Sequence, residues 1–272
     1  MKKFCVIGNP IGHSKSPSIF EYIFKTLNIH AKYYTQKIED YNTFNEFIFK
    51  NKSIYSGFNI TAPFKKQAYK IVDEVHSSAC DIEAVNCIKI NNGKLIGYNT
   101  DIFGFKMMVE NQSLNINNKN FLILGNGASA KMVCLVLHSS YPKEISILGR
   151  NIKNVKNFIH DFNQTKFTSN SIREYKKGGN IPYILINCLP VNIDENSSNN
   201  ILSFIPVSNI ELVVDLNYIN SKLIEKLKLL NCSIQTGYDM LLFQAIKSFE
   251  IWFEDYCGKI KYDIIKNNII NE

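Results

Sequence analysis

Several features are scarce or missing in this 272-residue sequence, and each absence excludes a class of protein. There is no run of about 18 consecutive apolar residues, so no transmembrane helix and no membrane partner are expected. The N-terminus shows no long apolar leader with a small-residue cleavage site, which makes the cytoplasm the expected location. The seven cysteines (Cys5, Cys80, Cys87, Cys134, Cys188, Cys232 and Cys257) are odd in number and form no C-x-x-C pair. Several sit inside apolar runs, so buried free thiols in a reducing compartment are expected and a metal site is not. No basic stripe with interleaved aromatics occurs either. The charge of +7 comes from scattered residues, in pairs such as Lys176-Lys177, which argues for solvated surface and against a nucleic-acid partner. That charge can still help draw in an acidic small molecule. No internal repeat is visible.

What is present suits a globular chain with a full core, 45% hydrophobic and 20% charged. Short apolar runs alternate with amphipathic stretches through the first hundred residues. FCVIG, AKYYTQKI and YSGFNIT read as strands, with helices at SPSIFEYIFKTLNI and TFNEFIFKN between them. AVNCIKINNGKLIGYNTD reads as a hairpin turning at Asn91-Asn92-Gly93. A fresh alternation begins near residue 120 with NFLILG, GASAKMVCLVLHSS, EISILG, IPYILINC, ELVVDLN and CSIQT. Alternation of this kind predicts a parallel, doubly wound sheet. MLLFQAIKSFEIWFEDYC is apolar at helical spacing and predicts a packed helix. The expected architecture is α/β with two domains, residues 1–104 plus returning helices at 239–272, and residues 105–238.

Three regions carry residues suited to chemistry. GNPIGHSKSP (8–17) ends the first strand in a turn holding Ser14 and Ser16, which either a plain strand-to-helix turn or a small anion would explain. Gly125-Asn126-Gly127-Ala128-Ser129-Ala130 follows a strand and opens a helix, as in turns that hold a dinucleotide pyrophosphate. At the end of the next strand stand Gly149, Arg150 and Asn151, followed by Lys153, with no acid for ribose hydroxyls. That combination favours NADP over NAD, although Arg150 also fits an ordinary surface position. In the first half, GFNITAPFKK brings Asn59, Thr61 and Lys65 to a helix entrance, with Pro63 in its first turn. Lys65 is unfavourably placed for the helix dipole, which suggests a functional use. Asn86 lies between apolar neighbours and needs its amide satisfied by backbone or ligand. Asn99, Thr100 and Asp101 precede another helix and read first as a cap. Each is explained by structure when taken singly.

Taken together, G-N-P-I-G-H-S-K-S-P, G-F-N-I-T-A-P-F-K, E-A-V-N-C-I, G-Y-N-T-D-I-F-G-F and G-Y-D-M-L-L-F-Q-A resemble shikimate dehydrogenases in order and spacing across nearly the whole chain. The resemblance implies NADP-linked interconversion of 3-dehydroshikimate and shikimate in aromatic amino-acid biosynthesis. It implies a substrate domain, a Rossmann domain and an active site in the cleft between them. Lys65 matches the catalytic lysine and Asp101 its partner. Ser14 and Ser16 match serines that bind the substrate carboxylate, and Tyr218 a tyrosine reaching it from the other domain. Thr61, Asn86, Asp101 and Gln244 match residues that hold the ring hydroxyls and reacting oxygen. The cofactor contacts it implies are Gly125, Asn126, Gly127, Ala128, Ser129, Arg150, Asn151, Lys153, Leu216 and Gly237. No metal is implied, and a monomer or homodimer is expected.

The departures from the family pattern fall in the cofactor half. Gly-Asn-Gly-Ala-Ser stands for Gly-Ala-Gly-Gly-Ala, and Gly149-Arg150-Asn151 for Asn-Arg-Thr. The segment after Tyr218 is short, and Asp239 replaces a glycine near the expected nicotinamide, where it would repel phosphates or point outward. These changes leave open a quinate- or NAD-using relative and a non-catalytic shikimate sensor.

Overall fold

A computed structural model describes residues 1–160, 162, 167–171 and 181–269, and the Lys176-Lys177 pair lies outside them. The chain divides into two compact units. Met1–Met107 with Leu241–Glu272 make the first, and Met108–Met240 the second. The divisions fall three and two residues beyond the expected 104/105 and 238/239.

The first unit runs β1 (Lys2–Gly8), α1 (Ser16–Thr26), β2 (Ala31–Lys37), α2 (Tyr41–Asn51), β3 (Gly57–Ile60), α3 (Lys65–Ile71), β4 (Glu74–Val75), α4 (Ser77–Cys80), β5 (Cys87–Asn91), β6 (Lys94–Tyr98) and the start of α5 (Asp101–Asn111). Its six-stranded sheet has the order β2-β1-β3-β5-β6-β4. The hairpin makes that sheet mixed. β1 runs parallel to β2 and β3, whereas β5 is antiparallel to both β3 and β6. Asn92 and Gly93 take the two left-handed positions of the hairpin turn, at φ 50° and 78°.

The second unit continues with β7 (Asn120–Leu124), α6 (Ala128–His138), β8 (Glu144–Gly149), α7 (Ile152–His160), β9 (Phe167–Ser171), β10 (Tyr183–Asn187), α8 (Glu195–Phe204), β11 (Ile210–Asp215), α9 (Lys222–Leu229) and β12 (Ile234–Thr236). Every strand pair in it is parallel, in the order β12-β11-β10-β7-β8-β9. This is the doubly wound arrangement, with its switch point between β7 and β10. β7 and β10 are buried along their whole length, as strands covered on both faces must be, and they read as unbroken apolar runs. The sequence does not disclose β4 or β9. β4 has two residues and β9 reads FTSNS, and both lie at sheet edges, where no alternating pattern is required.

The chain then enters α10 (Tyr238–Trp252), and α11 (Tyr262–Ile269) closes it. Trp252 seats α10 on the first sheet. Its ring stacks 4.4 Å from that of Phe4, and its Nε1 donates to the Ile88 carbonyl at 3.0 Å. The indole lies where a Cβ on residue 57 would fall, so Gly57 leaves the room it needs. Phe20, Tyr33, Phe249 and Phe253 extend this aromatic core, and burial of rings this large dominates its stabilisation. The fixed helix carries Gln244 and Ser248 on the turns before Trp252.

Candidate active site

Four loops leave the first sheet at one end of its four central strands. β1 and β3 are parallel and end together, with Ile7 opposite Ile60. β5 begins where β3 ends, with Asn59 opposite Cys87, and β6 ends opposite that start, with Tyr98 opposite Cys87. Sheet register therefore gathers Ser14–Ser16, Thr61–Lys65, Asn86 and Asn99–Asp101, four stretches remote from one another in sequence. Backbone bonds tie the first two loops, Asn9 N–H to the Ala62 carbonyl at 3.0 Å and Thr61 N–H to the Ile7 carbonyl at 2.9 Å.

Ser14 and Ser16 meet through the Ser16 amide, which donates to the Ser14 hydroxyl at 3.3 Å. Ser16 opens α1 and is buried. Thr61 is half-buried in the turn before α3. Pro63 is not in the first helical turn as expected. The turn closes from Phe64 N–H to the Thr61 carbonyl at 3.0 Å, Pro63 lies within it after a cis bond, and α3 starts at Lys65.

Lys65 Nζ lies 2.7 Å from Asp101 Oδ2, and the two side chains are only 19% and 14% exposed. Asp101 Oδ1 accepts from Asn86 Nδ2 at 2.9 Å, so both carboxylate oxygens are held. The capping task falls to Asn99, whose Oδ1 accepts from the Asp101 and Ile102 amides at 3.0 and 3.4 Å. Asp101 is thereby freed to turn its carboxylate to Lys65. Asn86 Oδ1 accepts from the Thr100 amide at 2.7 Å, and this donor fixes which end of the carboxamide is oxygen. Gln244 reaches the cluster through Thr100, with 3.5 Å between Gln244 Oε1 and Thr100 Oγ1. Lys65, Asp101, Asn86 and Gln244 thus belong to one connected set. Such a set can hold and aim an ammonium and meet several hydroxyls at once.

Sequence reasoning missed Ser248 and Tyr33 and read Thr100 only beside a helix cap, yet all three link these residues underneath. Tyr33 Oη donates to Asn59 Oδ1 at 2.7 Å, and Asn59 Nδ2 donates to Ser248 Oγ at 3.0 Å. The one legible sign was polarity inside apolar runs, as at Asn59 in GFNI and Ser248 in AIKSF. Cys87 lies beside this network, and burial pushes its thiol up to about 12, so it remains neutral. All seven cysteines are free; Cys5, Cys87 and Cys134 are buried, whereas Cys80 and Cys257 are exposed.

In the second unit the β7–α6 turn has the features of a phosphate cradle. Gly125 adopts φ +104°, a conformation other residues rarely take, and a Cβ on Gly127 would meet open space. No side chain caps α6, so the amides around Ala128 and Ser129 are available to an anion. Arg150 and Lys153 are exposed at the end of β8 and just beyond it, and no acid stands among Gly149, Arg150 and Asn151. These residues fit a phosphorylated dinucleotide better than an unphosphorylated one. Asn151 has another task. Its Oδ1 accepts from the Lys153 and Asn154 amides at 2.9 and 3.4 Å, capping α7. Gly149 is small because Val155 Cγ2 lies 2.5 Å from where its Cβ would be, and Asn126 fills the neighbouring space at 3.6 Å. Leu216, Gly237 and Tyr218 also belong to this unit, Leu216 and Tyr218 in the segment after β11 and Gly237 just after β12.

Asp239 neither faces a phosphate nor points outward. It is 5% exposed and accepts from Gln112 Nε2 at 2.9 Å and Asn111 Nδ2 at 3.3 Å, a pairing that turns the carboxylate inward. The departure at this position is thus absorbed by two amides at the end of α5.

Asp215, at the end of β11, is buried, and desolvation pushes its carboxyl up to about 6. Asn187 Nδ2, Asn217 N–H and Asn217 Nδ2 all donate to Oδ1 and only partly offset that cost. A raised native value means that the folded state holds the proton more tightly than the unfolded chain. The stability contributed is therefore complete below about pH 4 and lost as pH rises through about 6. Asp215→Asn should stabilise the protein at pH 7.5 by on the order of 2 kcal/mol, with about a third of that gain at pH 4.5. Denaturant unfolding at the two pH values checks this.

Residues 6–88 match the family described as shikimate dehydrogenase substrate binding domain, and residues 107–189 that described as shikimate / quinate 5-dehydrogenase. A shikimate dehydrogenase (NADP(+)) of Nitrosopumilus maritimus (strain SCM1) is 34% identical over 92% of this chain and 93% of its own length. The chain belongs to the shikimate dehydrogenase family. Among solved members of that family, shikimate dehydrogenase 1 from Peptoclostridium difficile superposes with a TM-score of 0.82 at 27% identity, covering 99% of this chain and 98% of that one. A shikimate dehydrogenase in complex with NADP+ superposes with a TM-score of 0.79 at 27% identity, over 100% of this chain and 95% of that one. Among the described residues no helix is long and apolar enough to cross a membrane.

Proposed function

We propose that the protein is an NADP-dependent oxidoreductase that interconverts shikimate and 3-dehydroshikimate, serving aromatic amino-acid biosynthesis in the cytoplasm. One observation carries the reading above the others. Lys65 and Asp101 form a half-buried ion pair whose carboxylate is held by Asn86, a proton-transfer pair that a pure binding protein would not need. The names of the relatives support the substrate and the cofactor.

Reduction of a ketone builds negative charge on its oxygen and ends with a proton there. The Lys65 ammonium stabilises that charge and donates the proton, and in oxidation the amine takes the hydroxyl proton back. Asp101 holds Lys65 in place through their 2.7 Å ion pair and orients the neighbouring substrate hydroxyl. Asn86, Gln244 and Thr61 hold the ring hydroxyls. Ser14 and Ser16, pre-set on a short loop, bind the carboxylate with little ordering cost, and Tyr218 adds a contact to it. NADP(H), when bound, supplies or accepts the hydride. The amides of the Gly125–Ser129 turn would hold its pyrophosphate, Leu216 and Gly237 would serve its nicotinamide end, and Arg150 with Lys153 would engage the 2′-phosphate.

The test follows NADPH formation from NADP⁺ and shikimate, with NAD⁺ and quinate in parallel. Turnover with shikimate and NADP⁺ well above the other pairs is expected, and its absence in the folded protein overturns the reading. Arg150→Ala should raise the NADP⁺ KM about 10- to 100-fold and leave that of NAD⁺ nearly unchanged, since only a charge-assisted phosphate contact is lost. Equal losses with both cofactors would remove Arg150 from that role.

A further inference from the structure

We infer that Ser248 is a positioning residue that keeps two acceptors, Asn86 Oδ1 and Gln244 Oε1, open for substrate hydroxyls by drawing the Thr100 hydroxyl proton away from them. The inference rests on the shikimate reading above and concerns the same site.

The argument is a count of protons. Ser248 is fully buried on α10. Its nearest partner is the Gln244 carbonyl at 2.9 Å, which can only accept, so the single Ser248 proton goes there. Its oxygen accepts from Asn59 Nδ2 at 3.0 Å, and the Asn86 backbone carbonyl, which can only accept and lies 3.2 Å from the same nitrogen, fixes the orientation of that carboxamide. Thr100 Oγ1 lies 3.2 Å from Ser248 Oγ, so in that contact Thr100 is the donor. Thr100 in turn accepts from Asn86 Nδ2 at 3.0 Å.

The Thr100 hydroxyl has two other acceptors within reach, Asn86 Oδ1 at 3.3 Å and Gln244 Oε1 at 3.5 Å. Both Asn86 Nδ2 protons are already committed, to Thr100 and Asp101, so Asn86 can meet a substrate hydroxyl only through its oxygen. Gln244 spends one Nε2 proton on the Leu241 carbonyl at 2.9 Å, which leaves Oε1 as its acceptor. Without Ser248, the Thr100 proton would turn to one of these two oxygens and compete with the substrate.

The test measures kcat and both KM values for Ser248→Ala, Thr100→Val and the double variant. Ser248→Ala should raise the shikimate KM about tenfold, the cost of one lost hydrogen bond, with kcat and the NADP⁺ KM within about threefold. Adding Ser248→Ala to Thr100→Val should raise KM no further, because no Thr100 proton remains to be misdirected. Should the alanine variant fail to fold, Ser248→Cys, which fills the space but accepts weakly, should give a several-fold rise in KM. A shikimate KM within twofold of the unaltered protein, or an equal rise in both backgrounds, overturns the inference. Failure of the unaltered protein to turn over shikimate would instead sink the functional reading on which it rests.

Discussion

Lys65→Met lowers kcat for shikimate oxidation by about 10²- to 10⁴-fold, the range associated with a positioned acid–base group. Methionine keeps the length and apolar stem of the side chain and removes only the ammonium. The substitution leaves the Asp101 carboxylate, only 14% exposed, without its cation, so a fall in melting temperature accompanies the loss of rate and kcat is read on the folded protein. Asp101 Oδ1 remains anchored by Asn86, which keeps the hydroxyl-binding side in place and the shikimate KM within several-fold. Steady-state kinetics with saturating NADP⁺ and a melting curve test both halves of this expectation. A kcat within tenfold of the unaltered protein would assign the proton to another group.

Gly237→Ala disrupts the second unit by upward of about 3 kcal/mol and abolishes detectable NADP⁺ binding. The reason is space, since Gly237 is not in the left-handed region. A Cβ there falls onto the Leu216 carbonyl, 2.5 Å from its carbon and 3.1 Å from the Asp215 oxygen. Backbone on a strand end cannot give way as a flexible side chain can. The Gly237 amide also donates to the Asn217 carbonyl at 3.1 Å, so the segments after β11 and β12 must separate together. Alanine is the smallest possible change, which makes the prediction sharp. A variant with unchanged melting temperature and NADP⁺ affinity would show that these segments can part freely.

Much of the fold is legible in the sequence because its strands are buried on both faces and read as apolar runs, as in NFLIL and YILIN. The edge strands FTSNS and EV escape because half-solvated edges impose no pattern. Candidate site residues stand out locally, Asn86 as a polar group between apolar neighbours and Lys65 as a cation at a helix entrance. Their individual tasks do not. Asn99 and Asp101 are both plausible caps, and only the coordinates give the cap to Asn99 and the ion pair to Asp101. Asn151 reads as a cofactor contact, yet its side chain caps α7. Asp239 reads as a disturbance at a phosphate, yet two amides take it inward.

The sequence by itself determined the alternation of elements, the glycine turn opening α6, the absence of an acid beside Arg150, and the family to which five separated motifs belong. These are local properties, set by hydrophobic period, turn chemistry and residue type. The tertiary structure decided what depends on distance between remote segments. It fixed the mixed register that brings four loops to one end of the central strands of the first sheet, and the seat of Trp252 that delivers Gln244 and Ser248 to that end. It also decided how each buried proton is shared among Tyr33, Asn59, Thr100, Asn86 and Ser248. A hydrogen bond is made or lost over a few tenths of an ångström, and residues as far apart as 59 and 248 come to such distances only in the folded chain.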